Sequence, residues 1–164
     1  MRKAQALLGS AVFLVLAPGV VTGIVPWLIS RWHLQAPLFG VPVTRALGVL
    51  LIVLGIPVLL ESFIRFALDG LGTPAPILPT RNLVIRGSYR YVRNPMYLAA
   101  EAIVLGQGIF FGNWSVIVYG LIVWLVAYVF VLLYEEPTLR KSFGVEYDAY
   151  CASVPRWMPR LPAR

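Results

Sequence analysis

The stretch Trp114 to Tyr134 carries no charged residue from end to end, and nothing else in the chain limits its fold so tightly. A segment of about 20 apolar residues crosses the hydrocarbon of a bilayer as a helix, because there a lone segment can satisfy its backbone polar groups only internally. Three more apolar runs, Ala6 to Ile29, Ala46 to Ala67 and Met96 to Phe111, make the same demand. The chain is 59% hydrophobic and 13% charged, with a mean hydropathy of +0.79, so its apolar surface exceeds what one soluble core hides. These features predict an all-α, polytopic membrane protein of four spans, ending in a helical hairpin and a C-terminal amphipathic helix.

The formal charge of +7 does not call for nucleic acid, because the Lys and Arg residues fall between and after the apolar runs. That is the pattern of loops facing the cytoplasm and anionic lipid. A lone cysteine, Cys151, and a lone histidine, His33, exclude a disulfide framework and a Cys/His zinc site within one chain. No metal is expected. Chemistry must come from carboxylates, arginines, tyrosines and a bound cofactor.

The first run follows Arg2 and Lys3, is too long for a signal peptide, and holds Pro18-Gly19 and Pro26 as expected kinks. The second carries Glu61 and Arg65, four apart and able to pair on one face, in a setting where ionisable residues are functional candidates. Asp69 to Arg93 is a long connection stiffened by Pro74, Pro76 and Pro79 and rich in arginine, read as a cytoplasmic cover. The third run is short: about 16 residues at roughly 1.5 Å each give about 24 Å, against about 30 Å of hydrocarbon. Its start must therefore sit below the membrane surface, or the bilayer must thin around it. Gly112-Asn113 then permits only a hairpin, and Gly106 and Gly108 permit close helix approach. An even span count puts both termini on the cytoplasmic side of a bacterial-type inner (cell) membrane. Residues 1–68 form an N-terminal pair of spans, and residues 69–164 the functional core.

Arg86-Gly87-Ser88-Tyr89-Arg90-Tyr91-Val92-Arg93-Asn94-Pro95-Met96-Tyr97 concentrates arginines and tyrosines at the entry to the third run. Asn94 followed by Pro95 reads as N-cap and first helical residue, so a positive helix end lies beside Arg93. Tyr97 and Glu101 follow one turn apart. At the far end of the hairpin stand Glu135 and Glu136, like charges at the negative end of a helix dipole, which need cations nearby. The arginines before the third run are the nearest. After Pro137, Thr138 to Tyr150 sets Leu139, Phe143, Tyr147 and Tyr150 near one face, as in an interfacial helix. Tyr89, Tyr91 and Trp157 read as interfacial anchors, and Cys151 as an inert thiol. An anion site and a cation site side by side suit a zwitterionic or amino-acid-like ligand, and lipid headgroup binding fits as well as a cofactor.

The pattern Gly87-x-Tyr89-x-x-Val92-Arg93-Asn94-Pro95-Met96-Tyr97, an apolar hairpin, then Glu135-Glu136-Pro137-x-Leu139-x-x-x-Phe143-Gly144-x-x-Tyr147-x-x-Tyr150 and Val154-Pro155-Arg156 resembles one family. It is that of the integral membrane methyltransferases, which includes isoprenylcysteine carboxyl methyltransferase and phospholipid N-methyltransferases. The resemblance runs from about Gly72 onward, and the first two spans match only in being hydrophobic. It implies S-adenosyl-L-methionine bound at the cytoplasmic face between the hairpin and the C-terminal helix. Val92, Arg93, Asn94, Pro95, Tyr97 and Leu98 would line the cofactor pocket, and Glu135 and Glu136 would bind its amino or ribose groups. Asn94 stands where carboxyl-methylating members commonly have His. Ala99 stands near a position that is commonly Gly, so that its methyl is expected to reshape the pocket.

Methyl transfer from a sulfonium is an in-line displacement that needs no metal and depends on alignment and water exclusion. A carboxylate acceptor needs an arginine to orient it, Arg65 or Arg90; an amine or thiol needs a base, Glu61 or Glu101. The acceptor is a small or lipophilic molecule reached from the membrane. The rival reading is a non-enzymatic module that binds lipid headgroups or serves as an accessory subunit; a transporter fits less well, since four spans offer little to rock.

Overall fold

The computed structural model describes residues 3–70 and 82–161. Arg2 and the stretch with Gly72, Pro74, Pro76, Pro79 and Arg81, read as part of a cover, lie outside the described residues. Among the described residues, all regular structure is helical. Helix α1 (Lys3–Leu14), a π-wound stretch Val15–Ile24 and α2 (Val25–Ser30) follow one another without interruption. At Pro18, where a kink is expected, the helix widens into π winding: proline lacks a donor and crowds the preceding turn, and π winding accommodates both. The Thr22 hydroxyl donates to the Pro18 carbonyl at 2.8 Å.

Helix α3 (Thr44–Leu68) returns and packs along α4 (Pro95–Phe111). Glycines set their distance: a Cβ on Gly48 would lie 2.7 Å from the Gly106 carbonyl oxygen, and one on Gly106 2.8 Å from that of Gly48. The backbones touch directly, as small residues allow inside a bilayer. Gly108 serves the other flank, where a Cβ would stand 2.6 Å from the Ile117 side chain on α5 (Trp114–Phe130). The hairpin turn uses Gly112 at φ 71°, a left-handed conformation that glycine adopts without strain, and the Asn113 side chain accepts from Val116 N to cap α5.

Leu8–Ser30, Thr44–Leu68 and Trp114–Phe143 are long and apolar enough to cross a membrane; Pro95–Phe111 is a shorter apolar helix. The third of these reaches beyond the expected end at Tyr134. Helix α5 continues through a π-wound turn, Val131–Glu135, into α6 (Glu136–Phe143), with Pro137 in the first turn of α6, where π winding upstream leaves it no donor to supply. The break comes at Gly144 (φ 51°), after which α7 (Val145–Ser153) sets off in a new direction. The single helix expected over Thr138 to Tyr150 is thus two. Leu139, Phe143, Tyr147 and Tyr150 still converge, but on Leu83 and Val154 in a packed cluster.

Candidate active site

The entry to α4 is laced to the C-terminal segment. Arg93 N donates to the Pro155 carbonyl (2.9 Å), Arg160 N to Tyr91 O (2.9 Å), and the Tyr150 hydroxyl to Tyr89 O (2.7 Å). Helix α4 starts at Pro95 as expected, but Asn94 makes no side-chain cap. Its Nδ2 donates to the Arg156 carbonyl at 3.1 Å, so the buried amide ties down the tail rather than the first turn. Burial pushes the Tyr89 phenol well above its usual range, and those of Tyr147 and Tyr150 also upward. All three remain neutral donors.

The two hairpin tips meet side by side. The Tyr97 hydroxyl donates to Glu135 Oε2 at 2.8 Å, across the start of α4 and the end of α5. Glu136, 7% exposed at its side chain, is held by Arg93 Nη1 at 3.1 Å and by Arg156 through two bonds, Nε at 2.6 Å and Nη2 at 2.8 Å. The fork of Arg156 meets both carboxylate oxygens, the strongest form of such a pair. Arg93 Nη1 also approaches Cys151 Sγ at 2.6 Å, so this thiol touches the site instead of lying idle. Phe66, Tyr89, Arg93, Asn94 and Glu135 enclose a narrow polar cleft, which continues past Glu136 to Leu83, Leu139 and Tyr147.

A second cavity, of about 410 Å³, lies between the N-terminal helix and the hairpin. Phe13, Val21, Ile122, Trp124 and Phe130 are among its apolar lining, and Ile122 and Val126 are also 56% and 63% exposed, so it opens on the lipid-facing flank. Its lining includes one ionisable acid, Glu101, which is 9% exposed and has no hydrogen-bond partner on either oxygen. The nearby Tyr119 hydroxyl donates elsewhere, to Val21 O at 3.0 Å. Met96 and Tyr97 line this cavity and the polar cleft alike, forming the wall between them.

Of the residues singled out in the sequence, Arg93, Asn94, Tyr97, Glu135 and Glu136 converge on the cleft. Pro95 is buried beside it and starts the helix, while Val92 and Leu98 line none of these cavities. Glu61 pairs with Arg65 Nε at 2.9 Å as expected, and also accepts from the Ser88 hydroxyl (2.6 Å) and Ser88 N (3.2 Å). It holds the turn Gly87–Arg90 against α3, where a Cβ on Gly87 would collide with its carboxylate. Neither Glu61, Arg65 nor the exposed Arg90 reaches a cavity. Ala99 faces Gly55 and packs with Leu59, Phe63 and Ile103, so its methyl belongs to the α3–α4 contact and leaves the pocket unchanged.

Two readings change with position. Tyr89 is a buried wall of the cleft, not an interfacial anchor, and Trp157 meets Trp124 edge-on at 4.6 Å and stacks on Tyr128 at 5.8 Å. Arg156 escaped attention as an ion-pair partner although it stands in the Val154-Pro155-Arg156 motif, and its signal was the pair of glutamates short of cations. The donor set fits S-adenosylmethionine: Arg93 Nε is buried without a partner, and Glu135 has no cationic partner among the described residues. One free donor suits the amino-acid carboxylate and one uncompensated acid the ammonium or sulfonium.

Helices of membrane-crossing length, with a charged cleft at one end of a hairpin and an apolar cavity behind it, define a multi-pass membrane protein. The chain belongs to the phospholipid methyltransferase family, whose profile matches residues 43–146. The match takes in α3, so the second span shares more with the family than hydrophobicity. No curated protein matches the chain.

Proposed function

We propose that the protein is an S-adenosylmethionine-dependent methyltransferase whose donor occupies the polar cleft and whose lipophilic acceptor enters from the bilayer through the apolar cavity. The observation that carries this reading is the shared wall of Met96 and Tyr97, across which the two compartments meet. Bound there, S-adenosylmethionine would supply a methyl group on a sulfonium for displacement by the acceptor. Arg93 orients the amino-acid carboxylate; Glu135, fixed by Tyr97, holds positive charge; Glu136 and Arg156 keep Arg93 in place. The dry cavity excludes water from the displacement.

As folded, the cleft has room for about 40 Å³, far below a nucleoside. Donor entry therefore requires the wall of Leu83, Leu139 and Tyr147 to part, with α6 and α7 turning at Gly144. In this reading α4 also crosses the membrane, as the third of four spans, and residues 69–164, together with α3, form the methyltransferase core. Arg90 and Glu61 then act as positioning residues for the turn before α4, and Val92 and Leu98 pack behind the cleft.

Titration calorimetry of the full chain in lipid nanodiscs tests the reading. Micromolar binding of S-adenosylmethionine is expected, with loss of at least about 10-fold in Glu135→Ala, since a charged hydrogen bond is worth about 1.5–3 kcal/mol. No binding by folded protein would sink the enzyme reading and leave a headgroup-binding module in its place.

A further inference from the structure

We propose that Glu101 determines which acceptor the apolar cavity takes: a lipophilic amine with no anionic group close to its nitrogen. The inference rests on the methyltransferase reading and adds the substrate class. Three observations lead to it. Glu101 is nine-tenths buried with both carboxylate oxygens unpartnered, and it lines the cavity, not the cleft. A buried carboxylate without donors is costly, and a ligand that brings an N–H relieves that cost. Among the described residues no arginine or lysine lines the cavity: Phe13, Ala17, Pro18 and Val21 close one side and α5 the other.

The second and third observations exclude alternatives. An acceptor carboxylate would face Glu101 with no cation to offset the repulsion. A phosphate two carbons from the nitrogen, as in an ethanolamine headgroup, would lie among the same apolar side chains with its charge uncompensated. An alkyl amine meets neither obstacle. Its ammonium meets Glu101, one helical turn inside Tyr97, once the carboxylate turns from Gly120 into the cavity, and its chain lies along Ile122, Val126 and Phe130 toward the lipid. Glu101 takes a proton from the ammonium; the freed nitrogen lone pair bonds to the methyl carbon while the carbon–sulfur bond breaks with its electrons to sulfur. The products are the N-methylated ammonium and S-adenosylhomocysteine, and Glu101 releases its proton to solvent.

The experiment uses the full chain in nanodiscs with labelled donor and three acceptors: dodecylamine, dodecanoic acid and phosphatidylethanolamine. Label is expected in dodecylamine, at a rate at least 10-fold above the other two. Glu101→Gln should lower that rate by about 10- to 100-fold, the range of a lost charge-assisted bond, with donor affinity unchanged. Glu101→Asp should retain part of it. Dodecyltrimethylammonium binding, which needs no donor, should weaken at least 10-fold in Glu101→Gln and much less in Glu101→Asp; thermal unfolding establishes that both variants fold. Preferential labelling of the acid or the phospholipid, or ammonium binding indifferent to Glu101→Gln, overturns the inference. Loss of donor binding in the parent protein overturns the methyltransferase reading instead, and the ammonium titration still decides the role of Glu101.

Discussion

Glu136 and Glu61 both pair with arginine, but their surroundings give the two pairs different weight. The side chains of Glu136 and Arg93 are 7% and 11% exposed, those of Glu61 and Arg65 36% and 39%. Breaking a buried pair strands a desolvated charge and costs about 3–5 kcal/mol, whereas a half-exposed pair contributes about 0–1 kcal/mol. Glu136→Gln is therefore expected to lower the unfolding temperature by roughly 6–20 °C, taking about 2–4 °C per kcal/mol for a chain of this size, and Arg65→Gln by less than about 4 °C. Differential scanning fluorimetry in one detergent compares them; equal shifts would show that burial does not set the energetics here. That Glu135 and Glu136 need partners was legible from the sequence as two adjacent acids, although the helix end read there lies instead at Phe143. Which cation answers was only half legible. Arg93 is near in any hairpin, but Arg156 arrives from a tail whose path depends on Asn94 and Tyr150.

At the scale of elements, spacing between α3 and α4 decides where the polar cleft can form, since Glu61 on α3 holds the turn that leads into α4. That spacing rests on direct backbone contact at Gly48 and Gly106. Gly106→Val adds three carbons where even a Cβ would lie 2.8 Å from both the Gly48 oxygen and Ile52 Cγ1. Two helix backbones cannot yield as a flexible side chain can, so a destabilisation of about 1–3 kcal/mol is expected from overpacking. Gly23→Ala is the control, because nothing lies within 4 Å of a Cβ there. Thermal unfolding of the two variants measures the contrast, and a tolerated Gly106→Val would mean that the helices sit further apart than described. The four apolar runs were legible because hydrophobicity is a local property. The π turns at Val15–Ile24 and Val131–Glu135 were not: proline signals a disturbance, but whether a helix breaks or widens depends on what packs against it. The break at Gly144 was masked by the even spacing of Leu139, Phe143, Tyr147 and Tyr150, which suits one helix or two.

For the whole molecule, the contacts sort the loops into two ends. Gln35 N bonds to Phe111 O at 2.9 Å, Trp32 reaches Gln107 at 3.2 Å, and Phe39 meets Trp114 edge-on at 5.2 Å, so the loop after α2 and the hairpin turn share one end. Arg65, Arg86, Arg90, Arg93, Arg140, Lys141, Arg156 and Arg160 cluster toward the opposite end, against Arg31 and Arg45 at the first. Positive residues stay on the cytoplasmic side, which fixes the orientation once α4 is taken as a full crossing. Helix α4 is the weak step, being shorter than the hydrocarbon is thick; but Trp114 follows directly at one end of it and Arg90 precedes it at the other. In a Cys151→Ser background, single cysteines at Phe39 and Trp114, 80% and 52% exposed, should react with a membrane-impermeant maleimide added to intact cells. Cysteines at the exposed Arg90 and Met158 should react only after the membrane is opened. Labelling of positions 90 and 114 from the same side would mean that α4 dips into the bilayer and turns back, and the methyl donor and the arginines would then lie on different faces. If the predicted pattern holds, the polar cleft faces the cytosol and the apolar cavity the lipid, with the wall of Met96 and Tyr97 between them.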